Sequence, residues 1–105
     1  VSRGTAAYAV AKAAVVQTTK ALSVEFAFKG VRVNAIAPGW FMTEINDKYL
    51  ESEAGQALKR DIPMGRFGNA GDLDGALLLL VSDAGAYMTG ATILVDGGQV
   101  VQLKG

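Results

Sequence analysis

Cysteine and histidine are both missing from the 105 residues. The first absence removes disulfides, thiolate nucleophiles and thiolate metal sites. The second removes Ser-His-Asp triads, imidazole acid–base chemistry and the commonest zinc ligand. No charge of one sign dominates: ten Lys and Arg balance ten Asp and Glu. These charges are scattered rather than clustered, so there is no footprint for a phosphate backbone and no nucleic-acid partner is expected. Long hydrophobic runs are missing too. The run over 76–81 is far too short to span a membrane, and no charged start followed by an apolar segment marks a secretory signal. A cytoplasmic protein with no membrane partner is the simplest expectation.

Half of the residues are hydrophobic and 19% are charged, which is globular composition rather than disorder. The length suffices for one compact domain. The chain begins at Val1 and enters a helix-like pattern within a few residues, as a piece of something longer would.

Residues 6–29 are rich in Ala, with Val10, Val15, Leu22, Val24, Phe26 and Phe28 spread widely around a helical period. So broad an apolar surface is expected to be buried on several sides. Lys29 followed by Gly30 suits a helix C-terminus. Residues 31–37 are β-branched and stopped by Pro38-Gly39, which reads as a strand running into a loop. A charged, amphipathic stretch over 45–60 reads as a helical flap. After a glycine-punctuated turn over 62–68, Asn69 with Asp72 three residues on resembles a capping-box start for a helix to about Ser82. The cluster Leu77, Leu78, Leu79, Leu80 and Val81 on that helix predicts close packing against a sheet. Residues 90–95 read as a second strand, closed by a turn at Asp96-Gly97-Gly98. Two strands joined through a helix should run parallel. The strand beginning at Val31 would leave an unpaired edge, which invites pairing with another chain.

Tyr8 and Lys12 are four residues apart in the first predicted helix and so share one face. An ammonium beside a phenol favours the phenolate and makes the tyrosine usable as a general acid or base. Alone, this spacing is equally that of an ordinary surface pair. Its context is more specific. The run Tyr8-Ala9-Val10-Ala11-Lys12 is followed by Asn34-Ala35-Ile36-Ala37-Pro38-Gly39, with Thr43 four residues on, and then by Ile93-Leu94-Val95-Asp96-Gly97-Gly98. In order and spacing these motifs resemble the carboxyl-terminal part of short-chain dehydrogenases/reductases, and the likeness covers nearly the whole chain.

The resemblance implies an α/β fold, the C-terminal portion of a Rossmann-like, doubly wound parallel sheet in the order helix, strand, lid helix, helix, strand. It implies a single partial domain over 1–105 with a lid at about 40–62 and with the nucleotide-binding N-terminal half absent. Tyr8 would be the proton donor to a carbonyl, or the base for an alcohol. Lys12 would hold the nicotinamide ribose and tune that tyrosine. Pro38, Gly39, Phe41 and Thr43 would touch the nicotinamide carboxamide. The complete protein is then expected to be an NAD- or NADP-dependent oxidoreductase of a small-molecule alcohol or ketone.

Departures from the family pattern set the expectations for the chain by itself. The family serine lies about thirteen residues before the tyrosine, and Ser2 is too close to be it. The glycine-rich turn that receives the pyrophosphate would also lie upstream. The isolated chain is therefore expected to bind no cofactor and to be inactive, and the alternative reading is a non-catalytic fragment that self-associates as a homo-oligomer. Gly68-Asn69-Ala70-Gly71-Asp72 lacks the proline and glutamate that the family carries at this helix start, an expected local effect on capping. Trp40, Phe41 and Met42 could equally line an apolar pocket or anchor the lid. The acids Glu51, Glu53, Asp72 and Asp74 read as a solvated face rather than as an acid–base pair, and no metal site is expected.

Overall fold

The computed structural model describes residues 6–101. Within them an α1 helix, Ala6–Ala27, is followed by strand β1, Ala35–Pro38, and by two helices, α2 at Asp47–Glu51 and α3 at Glu53–Arg60. A 3-10 turn, Ala70–Leu73, leads into α4, Asp74–Val81, and the chain then reaches β2, Thr92–Val95. The described residues fall into two compact units distinguished by their internal contacts, one made from 6–35 with 80–93 and the other from 36–79 with 94–101.

β1 and β2 form one two-stranded sheet. The Ala35 N–H donates to the Ala91 carbonyl at 2.9 Å and the Gly39 N–H to the Val95 carbonyl at 3.0 Å. Both partners advance by the same four residues, which is the pattern of parallel strands.

In the first unit α1 stops where its composition predicts. Gly30 has φ 76, and its N–H donates to the Ala27 carbonyl while that of Val31 donates to Phe26. This is the paired reversal of a Schellman motif, which needs a left-handed residue at the glycine position. Lys29 sits with its ammonium 5.7 Å from the ring centres of both Phe26 and Phe28.

The buried stripe of α1 differs from the expectation. Thr19 and Ser23 are buried, whereas Val10, Val15 and Val24 are exposed, Val24 at 79%. The two hydroxyls donate to carbonyls of their own helix, Thr19 to Val15 and Ser23 to Lys20, so their burial leaves no donor unmatched. Small polar side chains are selected there because backbone comes close: a Cβ on Gly90 would lie 2.7 Å from Ser23 Oγ.

Both strands are shorter than their β-branched composition predicts, for a reason in the same unit. The Asn34 side chain takes the ladder's place, accepting from the Ala91 N–H at 2.9 Å and donating to the Met88 carbonyl at 3.0 Å. Arg32 donates to the same Met88 carbonyl, and the Val33 N–H donates to the Thr89 hydroxyl. Regular pairing begins only beyond these side-chain bonds.

In the second unit the predicted flap is two helices rather than one. Ser52 breaks the helical path with ψ 171 and accepts the Gly55 N–H in its side chain, an N-cap for α3. Its own hydroxyl donates to the Tyr49 carbonyl. The corner is held by Leu50, wholly buried, in a core with Ile62 and Phe67 against which Met42 and Leu58 pack. A Cβ on Gly55 would clash with the Leu50 backbone, so this position of α3 admits only glycine.

The expectation for α4 is corrected by the structure. Leu80 is buried, but Leu77, Leu78 and Val81 are mostly exposed, Leu78 at 63%, so most of the leucine cluster is not closely packed among the described residues. A helix apolar all round is built to be covered on more than one side, and among the described residues only Leu80 of this cluster is buried.

Gly55→Ala is expected to lower stability by about 1–3 kcal/mol by forcing α3 away from Leu50, and Leu50→Ala by about 2–5 kcal/mol through the cavity left in the core. Denaturant unfolding together with limited proteolysis would check both, with new cleavage expected inside 47–60.

Candidate functional site

Lys12 and Tyr8 both lie on α1, one turn apart, and the Lys12 side chain is half-buried. The side chain of Tyr8 lies outside the described residues, as does Ser2. Pro38, Gly39, Phe41 and Thr43 fall in the second unit, at the end of β1 and in the loop that follows it. Those four are near neighbours along one stretch of chain.

Gly39 is placed where no side chain fits. A Cβ there would lie 2.8 Å from Asp96 Cβ and 2.9 Å from Asp96 Cα. The group that approaches this glycine is thus the corner after β2. Asp96 itself serves that corner, its carboxylate accepting from the Gly98 N–H at 3.0 Å and the Val100 N–H at 3.1 Å. This is a turn-forming aspartate.

Phe41 makes an isolated parallel bridge with Gly68. The N–H of Gly68 donates to the Trp40 carbonyl and that of Met42 to the Gly68 carbonyl, both at 2.9 Å. The Phe41 ring lies against Gly68, where a Cβ would be 2.6 Å from the ring. Of the three large side chains after Pro38-Gly39, Met42 anchors the flap by packing on the Leu50 core, whereas Trp40 stays 39% exposed. Trp40 and Phe41 line a cleft of about 200 Å³ together with Met64, Arg66, Asp72 and Asp96.

Thr43 is exposed and tied to a residue that the sequence reading passed over, Asn46. Asn46 Oδ1 accepts from the Thr43 N–H at 2.8 Å and from the Thr43 hydroxyl at 2.9 Å. Its Nδ2 donates to the Phe41 carbonyl at 2.9 Å, and its backbone N–H donates to Thr43 Oγ1 at 3.2 Å. The available signal was the pairing of a threonine with an asparagine three residues on, a spacing at which such side chains exchange bonds with the backbone.

A second missed pair is Arg66 with Asp72, whose Nη1 and Oδ2 are 2.8 Å apart. Asp72 also accepts the Asn69 N–H at 2.8 Å, the acidic half of the expected capping box. Hydrogen bonding from Arg66 and from the Asn69 backbone holds the Asp72 carboxyl below its ordinary range, and the same bond raises Arg66. Because the folded value is depressed, the contribution of this pair is present above the ordinary aspartate range and is lost as pH falls through the lower folded value. Both side chains are partly exposed, so the pair sets geometry more than stability.

Comparison with known proteins gives a consistent answer. The family described as enoyl-(acyl carrier protein) reductase matches residues 1–99. The 3beta-hydroxysteroid dehydrogenase 1 of Eggerthella lenta is 47% identical over 95 residues, which are 90% of this chain and 36% of that protein. A protein assigned as a 2-deoxy-D-gluconate 3-dehydrogenase from Agrobacterium tumefaciens, with NADP bound, superposes with a TM-score of 0.81 at 41% identity, covering 90% of this chain and 39% of that one. A 4-hydroxyisoleucine dehydrogenase mutant complexed with NADH and succinate gives a TM-score of 0.85 at 30% identity, over 94% of this chain and 41% of that one. The chain therefore spans about two fifths of the length of the proteins that it matches, and its α/β fold is part of a Rossmann-type dehydrogenase fold.

The Asp72 carboxyl is expected to titrate below the ordinary aspartate range and to move up when Arg66 is replaced by glutamine. Carboxyl chemical shifts followed by NMR across acidic pH would check this, and no upward movement would show that Arg66 is not the cause.

Proposed function

The chain belongs to the short-chain dehydrogenase/reductase family, and from that membership we propose that the complete protein is an NAD(P)-dependent oxidoreductase interconverting a small-molecule alcohol and its ketone. The observation that carries this reading is the Tyr8–Lys12 pair, one turn apart on α1, inside a match that runs over residues 1–99. Relatives with NADP and with NADH bound support a nicotinamide dinucleotide without choosing between the two.

Each unit by itself carries chemistry suited to part of such a group. In the first, Lys12 offers an ammonium for ribose hydroxyls, and in the second the exposed Thr43 hydroxyl with the Pro38–Gly39–Phe41 backbone offers polar atoms for a carboxamide. When bound, the nicotinamide supplies hydride chemistry at the carbonyl carbon. Tyr8 donates its phenolic proton to the substrate oxygen as negative charge develops there, and in oxidation it accepts that proton back. Lys12, one turn along α1, stabilises the phenolate that Tyr8 becomes. Residues 40–62 form the lid, with the Leu50 core as its anchor and Trp40 facing substrate. In this proposal residues 1–105 supply the carboxyl-terminal part of one domain, and the 105-residue chain alone binds no NAD(P)H.

A second reading, a non-catalytic chain that associates with copies of itself, is favoured by one observation, the exposure of Val24 and Leu78 on two different helices. A monodisperse monomer on a sizing column at low concentration would count against it.

In the complete protein, Tyr8→Phe is expected to lower kcat by about 10²–10⁴-fold while leaving NAD(P)H affinity within about threefold. Steady-state kinetics with a fluorescence titration on the same sample would test this. Turnover unchanged by the substitution would remove Tyr8 from the chemistry.

A further inference from the structure

The Thr43–Asn46 contact has a definite polarity, because the backbone groups around it each have only one choice of role. A backbone N–H can only donate and a carbonyl can only accept. The Thr43 N–H at 2.8 Å therefore identifies its neighbour as Asn46 Oδ1, and the Phe41 carbonyl at 2.9 Å identifies the other amide atom as Nδ2. These two bonds fix the amide orientation from both ends. The Thr43 hydroxyl lies 2.9 Å from Oδ1, an acceptor, so it donates its single hydrogen there. The Asn46 N–H lies 3.2 Å from Thr43 Oγ1, so the oxygen accepts through one lone pair. What Thr43 has left is one lone pair and no hydrogen, on an exposed residue.

We infer that Asn46 is a positioning residue that fixes the Thr43 hydroxyl as an acceptor toward the cofactor, so that the site selects a carboxamide over a carboxylate at the nicotinamide ring. This rests on the reading of Thr43 as a carboxamide contact. A carboxamide brings an NH₂ that donates to the free lone pair. A carboxylate brings only acceptors, which would face an oxygen whose hydrogen is already committed, at the full cost of an unmatched polar contact. Asn46 also ties the Phe41 carbonyl to the same side chain, so one residue holds the backbone and the hydroxyl of the loop in register. Without Asn46 the hydroxyl is free to rotate and donate, and the preference disappears.

The experiment uses the complete protein and measures dissociation constants by calorimetry for NAD⁺ or NADP⁺, for the corresponding nicotinic acid dinucleotide, and for ADP-ribose or its phosphate, which lacks the ring. Native protein is expected to favour the amide over the acid by about tenfold or more, the worth of one hydrogen bond made against one unmatched. Asn46→Ala is expected to bring the two within about threefold, Thr43→Val to do the same, and the double variant to go no further. ADP-ribose affinity should stay unchanged in all three, which shows that the nucleotide site is intact. If Asn46→Ala keeps the native preference while Thr43→Val loses it, the inference is overturned and the cofactor reading stands. A fall in ADP-ribose affinity that accounts for the whole effect makes Asn46 merely structural and also overturns it. Native protein that binds neither dinucleotide, or does not distinguish them, brings down the reading of Thr43 and the inference with it.

Discussion

The second unit is organised by a contact in which backbone meets backbone with no room for a side chain. Gly39, at the end of β1, lies so close to Asp96, at the end of β2, that a Cβ would come within 2.9 Å of the Asp96 Cα. The Gly39 N–H bond to Val95 and the Asp96 carboxylate bonds to Gly98 and Val100 then fix both strand ends together. The Met64 N–H donates to the Gly97 carbonyl at 3.0 Å and joins the segment after α3 to the same corner. Because the two strand ends are locked, the loop over 40–43 leaves in a defined direction. It carries Phe41 onto Gly68, Met42 onto the Leu50 core and Thr43 to Asn46. The proposed site inherits its precision from this corner rather than from the flexible side chains around it.

Much of this was legible in the sequence. Elements whose signals are local were found: the alanine-rich α1, its glycine cap at Gly30, the strand stopped by Pro38-Gly39, and the acidic half of the cap at Asp72. The site loop was legible only through its likeness to a family, since nothing local distinguishes Phe41 or Thr43 from other loop residues. Features that depend on one polar side chain choosing a distant or non-helical partner were missed. Ser52 turned one flap helix into two, Asn34 replaced part of the sheet ladder, and Asn46 captured Thr43. Serine and asparagine offer the backbone such alternatives everywhere, and composition does not say which are taken up.

The apolar faces show a different limit. Val10, Val15 and Val24 on α1, and Leu77, Leu78 and Val81 on α4, have the composition of buried helix faces, and in the described residues they meet solvent. Burial is a property of what lies opposite, and hydrophobic patterning names the face without naming its partner. In the proposed dehydrogenase these faces would be covered, consistent with relatives more than twice as long as this chain.

The central proposal is that the complete protein transfers hydride between a nicotinamide and a ketone, and the most direct measurement follows the hydride. The complete protein would be incubated with NADH or NADPH deuterated at C4 of the nicotinamide and with a panel of small ketones, and the alcohols would be analysed by mass spectrometry. The account predicts one deuterium on the carbinol carbon of the product, transferred from a single face of the ring. Ketone consumed while the label stays on the cofactor or passes to water would contradict it.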